Sequence, residues 1–302
     1  MKNIIILTLA FFLSFPLWWG MNFFQDNLEA FFYAQISQPL QAASIVKIPE
    51  KPQKPELNLE SESAISLKIN KSGRQRVVFS KESQKILPIA SLTKLMTALV
   101  AWEENDNLWE AVTVSQKAAN QEDIPIYGNL KEGEVFTVEK LIELTLIYSS
   151  NDAAFALSQS TGSYEEFLEK MNQKAKILGA YNTRFINPTG LDPENPDTLP
   201  NHSTAKELAL LAQYIIKLYP EIFEISLKEG PYPTKNGVSD LYLPGSQEFI
   251  GAKTGYTEKA GGCMLVVFKD QKDNTFFNVI LGTASSESRI QEMQKLINWV
   301  LL

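Results

Sequence analysis

Ser91-Leu92-Thr93-Lys94-Leu95-Met96-Thr97-Ala98-Leu99-Val100-Ala101-Trp102 is apolar except at Ser91, Thr93, Lys94 and Thr97. That is the composition of a helix enclosed by protein on most sides, and the flanking sequence supplies the enclosure. Upstream, Ala64 to Asn70 and Arg74 to Ser80 alternate apolar and polar residues about Lys71-Ser72-Gly73, the pattern of a β-hairpin. Downstream, helices are expected from Val138 to Tyr148, from Asp152, read as the cap, to Ser160, and from Tyr164 to Leu178, the last opened by a Ser163/Glu166 capping box and closed by Gly179. Thr204 with Glu207 opens another helix, which Pro220 ends. Phe249 to Thr254, Gly262 to Phe268 and Phe276 to Thr283 read as strands, with a turn at Asp270 to Asn274 and an amphipathic helix from about Glu287 to Leu301. Two strands first, helices in the middle, then three strands and a helix predict an α/β (α+β) chain. Its two groups of strands form one five-stranded antiparallel sheet, flanked by helices and carrying a helical subdomain between them.

Composition narrows the function. A chain of 302 residues with 44% hydrophobic content can build a substantial core. Its net charge is −7 and no Lys/Arg cluster stands out, which argues against nucleic acid as a partner. One cysteine, Cys263, and one histidine, His202, allow neither an intrachain disulfide nor a Cys/His metal site, and no metal or cofactor is expected. A Ser-His-Asp mechanism would have to run through His202, which lies in the polar stretch Pro200-Asn201-His202-Ser203-Thr204 and reads as a loop residue; no G-x-S-x-G elbow occurs.

The amino terminus carries a different signal. After Met1-Lys2-Asn3, the run from Ile4 to Gln25 holds no charge and is long enough as a helix to cross roughly 30 Å of hydrocarbon. Lys2 before it, Asp26 and Glu29 after it, and Trp18 and Trp19 within it predict a segment with its start inside and the rest of the chain outside. Residues 1–25 are therefore expected to be a membrane anchor or signal segment. Residues 26–61, rich in Pro, Gln, Ala and Lys from Gln38 to Leu57, are expected to be a linker, and residues 62–302 the folded catalytic domain. The small residues of a cleavage site are missing just after the apolar run, which favours a retained anchor in the cytoplasmic membrane through residues 4–25; a cleaved segment would release a secreted protein.

Three short motifs occur in order: Ser91-Leu92-Thr93-Lys94 on the buried helix, Ser149-Ser150-Asn151 between two helices, and Lys253-Thr254-Gly255 on a late strand. Around them stand Ala90-Ser91-Leu92-Thr93-Lys94-Leu95-Met96-Thr97, Asn151-Asp152-Ala153, Asn187-Pro188-Thr189-Gly190-Leu191, and Lys253-Thr254-Gly255-Tyr256-Thr257 with Ala260-Gly261. On these residues the chain resembles the penicillin-recognising serine enzymes. The closest match is with the low-molecular-mass D-alanyl-D-alanine carboxypeptidases, over nearly all of residues 62 to 302. The resemblance implies a β-lactamase/DD-peptidase-like fold and an extracytoplasmic serine carboxypeptidase acting on peptidoglycan stem peptides and trapped by β-lactam antibiotics. The chain ends just after its last helix, without room for the carboxy-terminal β-rich domain of the best-known members, and the amino-terminal segment is expected to replace that tether.

Chemistry beneath the motifs can be stated from the residues. Positions 91 and 94 share a helix face, so Lys94 can reach the Ser91 hydroxyl. A lysine acts as a base only when neutral, a form favoured by burial and by a second cation such as Lys253. Ser91 near a helix start would direct its own N–H at a developing oxyanion. Thr254 and Gly255 suit an edge strand to which an extended peptide adds. By resemblance, Ser149 passes the proton to the departing amine, Asn151 holds Lys94 and the substrate amide, Tyr256 supplies the second oxyanion N–H, and Arg289 helps hold the terminal carboxylate. The readings that compete are a β-lactamase with Glu194 as a candidate deacylating base, a DD-endopeptidase of the same fold, and a catalytically silent wall-binding module.

Overall fold

The computed structural model describes residues 27–28, 54–121, 129–229, 238–245 and 247–302. The chain divides into two units, Met1–Gln53 and Lys54–Leu302. The apolar run expected to cross a membrane lies outside the described residues; among those described, no helix is long and apolar enough to do so.

The second unit runs β1 (Ser63–Ile69), β2 (Gln75–Lys81), β3 (Leu87–Pro88), a 3₁₀ turn (Ala90–Leu92), α1 (Thr93–Glu104), β4 (Ala111–Thr113), α2 (Gln116–Ala119), β5 (Val135–Thr137), α3 (Val138–Ile147), α4 (Asn151–Leu157), α5 (Tyr164–Ile177), β6 (His202–Ser203), α6 (Ala205–Leu218), α7 (Pro220–Leu227), β7 (Glu248–Thr257), β8 (Gly261–Lys269), β9 (Thr275–Thr283) and α8 (Ser286–Leu301). Five strands form one antiparallel sheet in the order β2-β1-β9-β8-β7, as the grouping of strands at the two ends of the chain predicts. β7 is therefore an edge strand, and the hairpin β1–β2 forms the other edge.

Helices cover both faces. Ile65, Leu67, Cys263, Leu265, Val267, Phe277 and Val279 join one core with α1, α3, α4, α6 and α7, whereas Ala64, Met264, Val266, Phe268 and Ile280 join a second core with Met293, Leu296, Ile297 and Val300 of α8. Burial on both sides explains why Cys263-Met264-Leu265-Val266-Val267-Phe268 is continuously apolar rather than alternating. At roughly 1.5–3 kcal/mol per fully buried side chain, the four apolar anchors suffice to hold α8 in place. Glu292 of α8 adds a polar tie, accepting from the backbone N–H of Glu60 (2.6 Å) and Ser61 (3.2 Å), so the chain entering β1 lies along this helix.

Local signals explain most boundaries. Asn70 Oδ1 accepts from the N–H of Ser72 and Arg74 and closes the first hairpin. Ser163 and Glu166 form the expected capping box. Pro220 ends α6 as expected, and also opens α7 at its first position, where its missing N–H leaves nothing unsatisfied. One expectation needs correcting: Asp152 does not cap α4. Ser150 does so, through Ala153 N, while Asp152 is buried in the first turn and accepts from Leu130 N at 3.0 Å.

Candidate active site

Thr93 to Ala101 are buried without exception, so Lys94 sits in the interior with no exposed surface of its own. Its Nζ lies 2.9 Å from Ser91 Oγ, 2.7 Å from Asn151 Oδ1 and 2.6 Å from the carbonyl oxygen of Thr189. Of these three partners only the serine hydroxyl can donate; the amide and carbonyl oxygens can only accept. A neutral amine in this place thus spends its N–H groups on Asn151 and Thr189, and its lone pair is left facing the Ser91 O–H. Ser91 itself lies in the 3₁₀ turn before α1 rather than in the α-helix proper, and it is the partly exposed member of the cluster.

The second lysine mirrors the first. Lys253, also fully buried, donates from Nζ to Ser149 Oγ (2.8 Å) and to the Thr254 carbonyl (3.0 Å). Ser149 and Asn151 flank the cap residue Ser150 in the turn from α3 to α4, so one tight connection delivers one side chain to each lysine. Ser149 takes φ of +59° and Ala90, just before Ser91, φ of +45°. Each such conformation costs a non-glycine residue about 1–3 kcal/mol and persists only where the surroundings enforce it; here both residues bracket the cluster.

The loop after α5 carries the Thr189 carbonyl, and it organises itself. Asn187 Oδ1 accepts from Thr189 N, Thr189 Oγ1 and Gly190 N, and Asn187 Nδ2 donates to Leu191 O. Thr97 Oγ1 of α1 donates to Pro188 O at 2.6 Å, and Asn201 joins Thr93, Ile186 and Asn187. On the other side, Asp192 accepts from Thr257 Oγ1 (2.9 Å) and Lys259 N (3.2 Å), fastening the loop to the end of β7.

Gly255 is confined by the chain itself: a Cβ there would stand 2.9 Å from Ser91 N and 3.1 Å from the Ala90 Cβ. The strand bearing Thr254, Gly255 and Tyr256 is thereby pressed against the serine turn. Thr254 is buried, and the Tyr256 side chain is exposed beyond it. Arg289 of α8 reaches the same strand, its Nη1 donating to Gly255 O at 2.8 Å. Burial pulls this guanidinium below its ordinary pKa, opposed by Cys263 and Glu287. It is a largely enclosed group bonded to the strand, not a helix-surface charge.

Eight of the nine residues singled out from sequence, Ser91, Lys94, Ser149, Asn151, Lys253, Thr254, Gly255 and Arg289, are linked here by hydrogen bonds or close backbone packing, and Tyr256 follows directly on β7. His202 is elsewhere, in β6 with its Nδ1 on Pro200 O. Glu194 is exposed and lines a cavity with Lys117 and Tyr164, outside this hydrogen-bonded cluster. Thr189, Asp192 and Asn201 were missed. Thr189 contributes through its backbone, which leaves no residue-type signal.

A family model described as D-alanyl-D-alanine carboxypeptidase, peptidase S11, matches residues 46–285. Among curated proteins, the chain is 31% identical over 256 residues to the D-alanyl-D-alanine carboxypeptidase DacF of Bacillus subtilis, covering 81% of this chain and 63% of that protein. It is 32% identical over 227 residues to the D-alanyl-D-alanine endopeptidase of Haemophilus influenzae, covering 71% and 74%. The ampicillin-bound penicillin-binding protein D2 of Listeria monocytogenes superposes with a TM-score of 0.67 at 26% identity, over 82% of this chain and all of that one. The chain spans about six tenths of the length of the first carboxypeptidase relatives, 63% and 58%. On the family match over residues 46–285, the chain belongs to the D-alanyl-D-alanine carboxypeptidase family, peptidase S11.

Proposed function

We propose that this chain is a serine-type D-Ala-D-Ala carboxypeptidase that trims peptidoglycan stem peptides through an acyl-enzyme on Ser91 and is trapped by penicillins in the same step. The observation that carries the reading is the Lys94 amine, buried between two acceptor-only oxygens and 2.9 Å from the Ser91 hydroxyl. Ser91 Oγ attacks the carbonyl carbon between the two D-alanines as its proton passes to Lys94 Nζ. The oxyanion is met by the N–H groups of Ser91 and Tyr256. On collapse the C–N bond breaks, and Ser149, held by Lys253, relays the proton that Lys94 took from Ser91 to the departing D-alanine amine, which leaves Lys94 neutral again for the second half of the cycle. Water then attacks the ester, Lys94 takes its proton, and Ser91 leaves as the alcohol. Asn151 keeps Lys94 and the substrate amide in place, Thr254 and Gly255 offer the strand edge, and Arg289 sets the terminal-carboxylate end of the cleft through β7. No metal or cofactor takes part.

An endopeptidase cutting cross-links between stems would use the same groups. It is favoured by one observation: the endopeptidase relatives are matched over more of their own length, 74% and 67%, than the first carboxypeptidases. Residues 1–25 serve, in this proposal, as a membrane anchor and residues 26–61 as the linker, whose last part lies along α8, so that residues 62–302 work on the extracytoplasmic side. Mass spectrometry after penicillin treatment should find one adduct, on Ser91. A Ser91→Ala chain that still labels would sink the reading, and product analysis on defined muropeptides separates the two activities.

A further inference from the structure

The sheet edge opposite β7 carries an unbalanced charge. Lys68 of β1 stands directly opposite Arg76 of β2 in the antiparallel register, and Arg74, just before β2, lines the same groove. Like charges directly opposed across strands disfavour the pairing. The expectation that no Lys/Arg cluster stands out overlooked this hairpin, where Lys68, Lys71, Arg74 and Arg76 fall within one acid-free stretch.

Lys68, Arg74 and Arg76, with Asn70, Gln75 and Asn274, line a groove of about 500 Å³ that has no carboxylate in its wall. Arg74 and Arg76 are exposed, and neither has an ion-pair partner among the described residues. The acids of the adjoining β8–β9 turn are largely engaged within it, although Asp270 also feels the Lys68 charge, which helps lower its carboxyl pKa. Asp273 bridges Lys71 (3.2 Å) and Lys269 (3.1 Å), and Asp270 accepts from the Asn274 amide and from the N–H of Lys272 and Asn274. The Lys68 ammonium is kept at the groove by the Phe276 ring, 5.1 Å from its centroid.

We propose that this groove is a binding site for a phosphate-bearing anion of the diphosphate or phosphodiester class. Two guanidinium forks and an ammonium offer more donors than one carboxylate can accept, whereas linked phosphates present several anionic oxygens to them. Its concave form, in a chain of net charge −7, suits a discrete soluble group rather than a flat membrane surface. β2 and β7 are four strand steps apart, roughly 19 Å at about 4.8 Å each, so an occupant leaves the β7 edge open. The site would dock a phosphate-bearing partner without blocking the cleft, and it stands whether or not the carboxypeptidase reading does.

Titration of the full chain with inorganic pyrophosphate by calorimetry tests this. Wild type and a control carrying Lys176→Gln and Lys206→Gln should bind alike. Arg74→Gln with Arg76→Gln, and separately Lys68→Gln, should each weaken binding roughly tenfold or more, the expected loss for a charge-assisted contact. All four proteins should label with fluorescent penicillin at equal rates, which reports an intact fold. The proposal is overturned if wild type does not bind pyrophosphate, or if the control loses as much as the groove variants. It is equally overturned if the groove matters only for vesicles containing 30% phosphatidylglycerol.

Discussion

Gly190→Ala offers a direct test of how Ser91 is placed. Gly190 has φ of +84°, and a Cβ added there would overlap the Ala90 carbonyl oxygen, stand 2.5 Å from the carbonyl carbon and 3.0 Å from Ser91 N. Unbonded carbons settle near 3.5 Å, so the Ala90–Ser91 backbone or the loop must retreat by about 1 Å. A displacement of that size at a reacting group costs on the order of 10²-fold in rate. Stability falls as well: the left-handed backbone costs about 1–2 kcal/mol for a residue with a Cβ, and overpacking adds about 1–3 kcal/mol. At about 2–4 °C per kcal/mol for a unit of this size, the melting temperature should drop by roughly 4–20 °C. Gly73→Ala is the matched control, because Gly73 has φ of +81° but nothing within 4 Å of an added Cβ. It should show the backbone cost alone and leave penicillin acylation unchanged. The assay is the second-order acylation rate by fluorescent penicillin alongside a thermal melt. If Gly190→Ala acylates within threefold of wild type while melting like Gly73→Ala, the turn is not what fixes Ser91.

Two further outcomes follow from the same geometry. Asp192→Ala removes the two bonds its carboxylate makes to the β7 end and leaves those of Lys259 Nζ to Pro196 O and Thr198 O; acylation should fall roughly tenfold, as expected for charge-assisted bonds of this type, with Asp192→Asn intermediate, and equal rates in all three proteins would show the latch to be idle. Cys263 is fully buried, and burial pushes its thiol from 9.0 up to about 12. The unfolded thiol therefore ionises first, so the contribution is intact below about pH 9 and lost as pH rises toward 12. Cys263→Ala should flatten the alkaline fall in stability measured by denaturant titration; an unchanged slope would place that fall elsewhere.

Periodicity and order made the sheet legible in the sequence. Two alternating segments before the helices and three strands after them could share one sheet only by bringing the chain ends together, as β1 and β9 do. Side chains with distinctive chemistry were equally legible: Lys94 lies on its helix, Lys253 on its strand and Ser149 in the turn between helices, while Ser91 stands in a 3₁₀ turn just ahead of the helix expected to carry it. Misreadings came where backbone or register decides. Ser150 and Asp152 both have cap chemistry, and only the path of the turn selects the serine, leaving Asp152 to receive Leu130 N from a distant loop. The hairpin cations look dispersed along the strand sequence, yet antiparallel pairing sets Lys68 opposite Arg76.

The Thr189 carbonyl carries this point furthest, because without it the Lys94 amine has a different valence. In a neutral amine, an N–H that did not go to Thr189 could go to the serine oxygen, and Ser91 would then accept from the lysine rather than donate to it. The Thr189 oxygen at 2.6 Å takes that N–H instead and leaves the lone pair for the hydroxyl. For a neutral Lys94, donation to this carbonyl, a backbone group placed through Asn187, Thr97 and Asp192, favours the Ser91 hydroxyl as donor to the amine. A loop that contributes no titratable group to the cluster decides which of its two members can be the base.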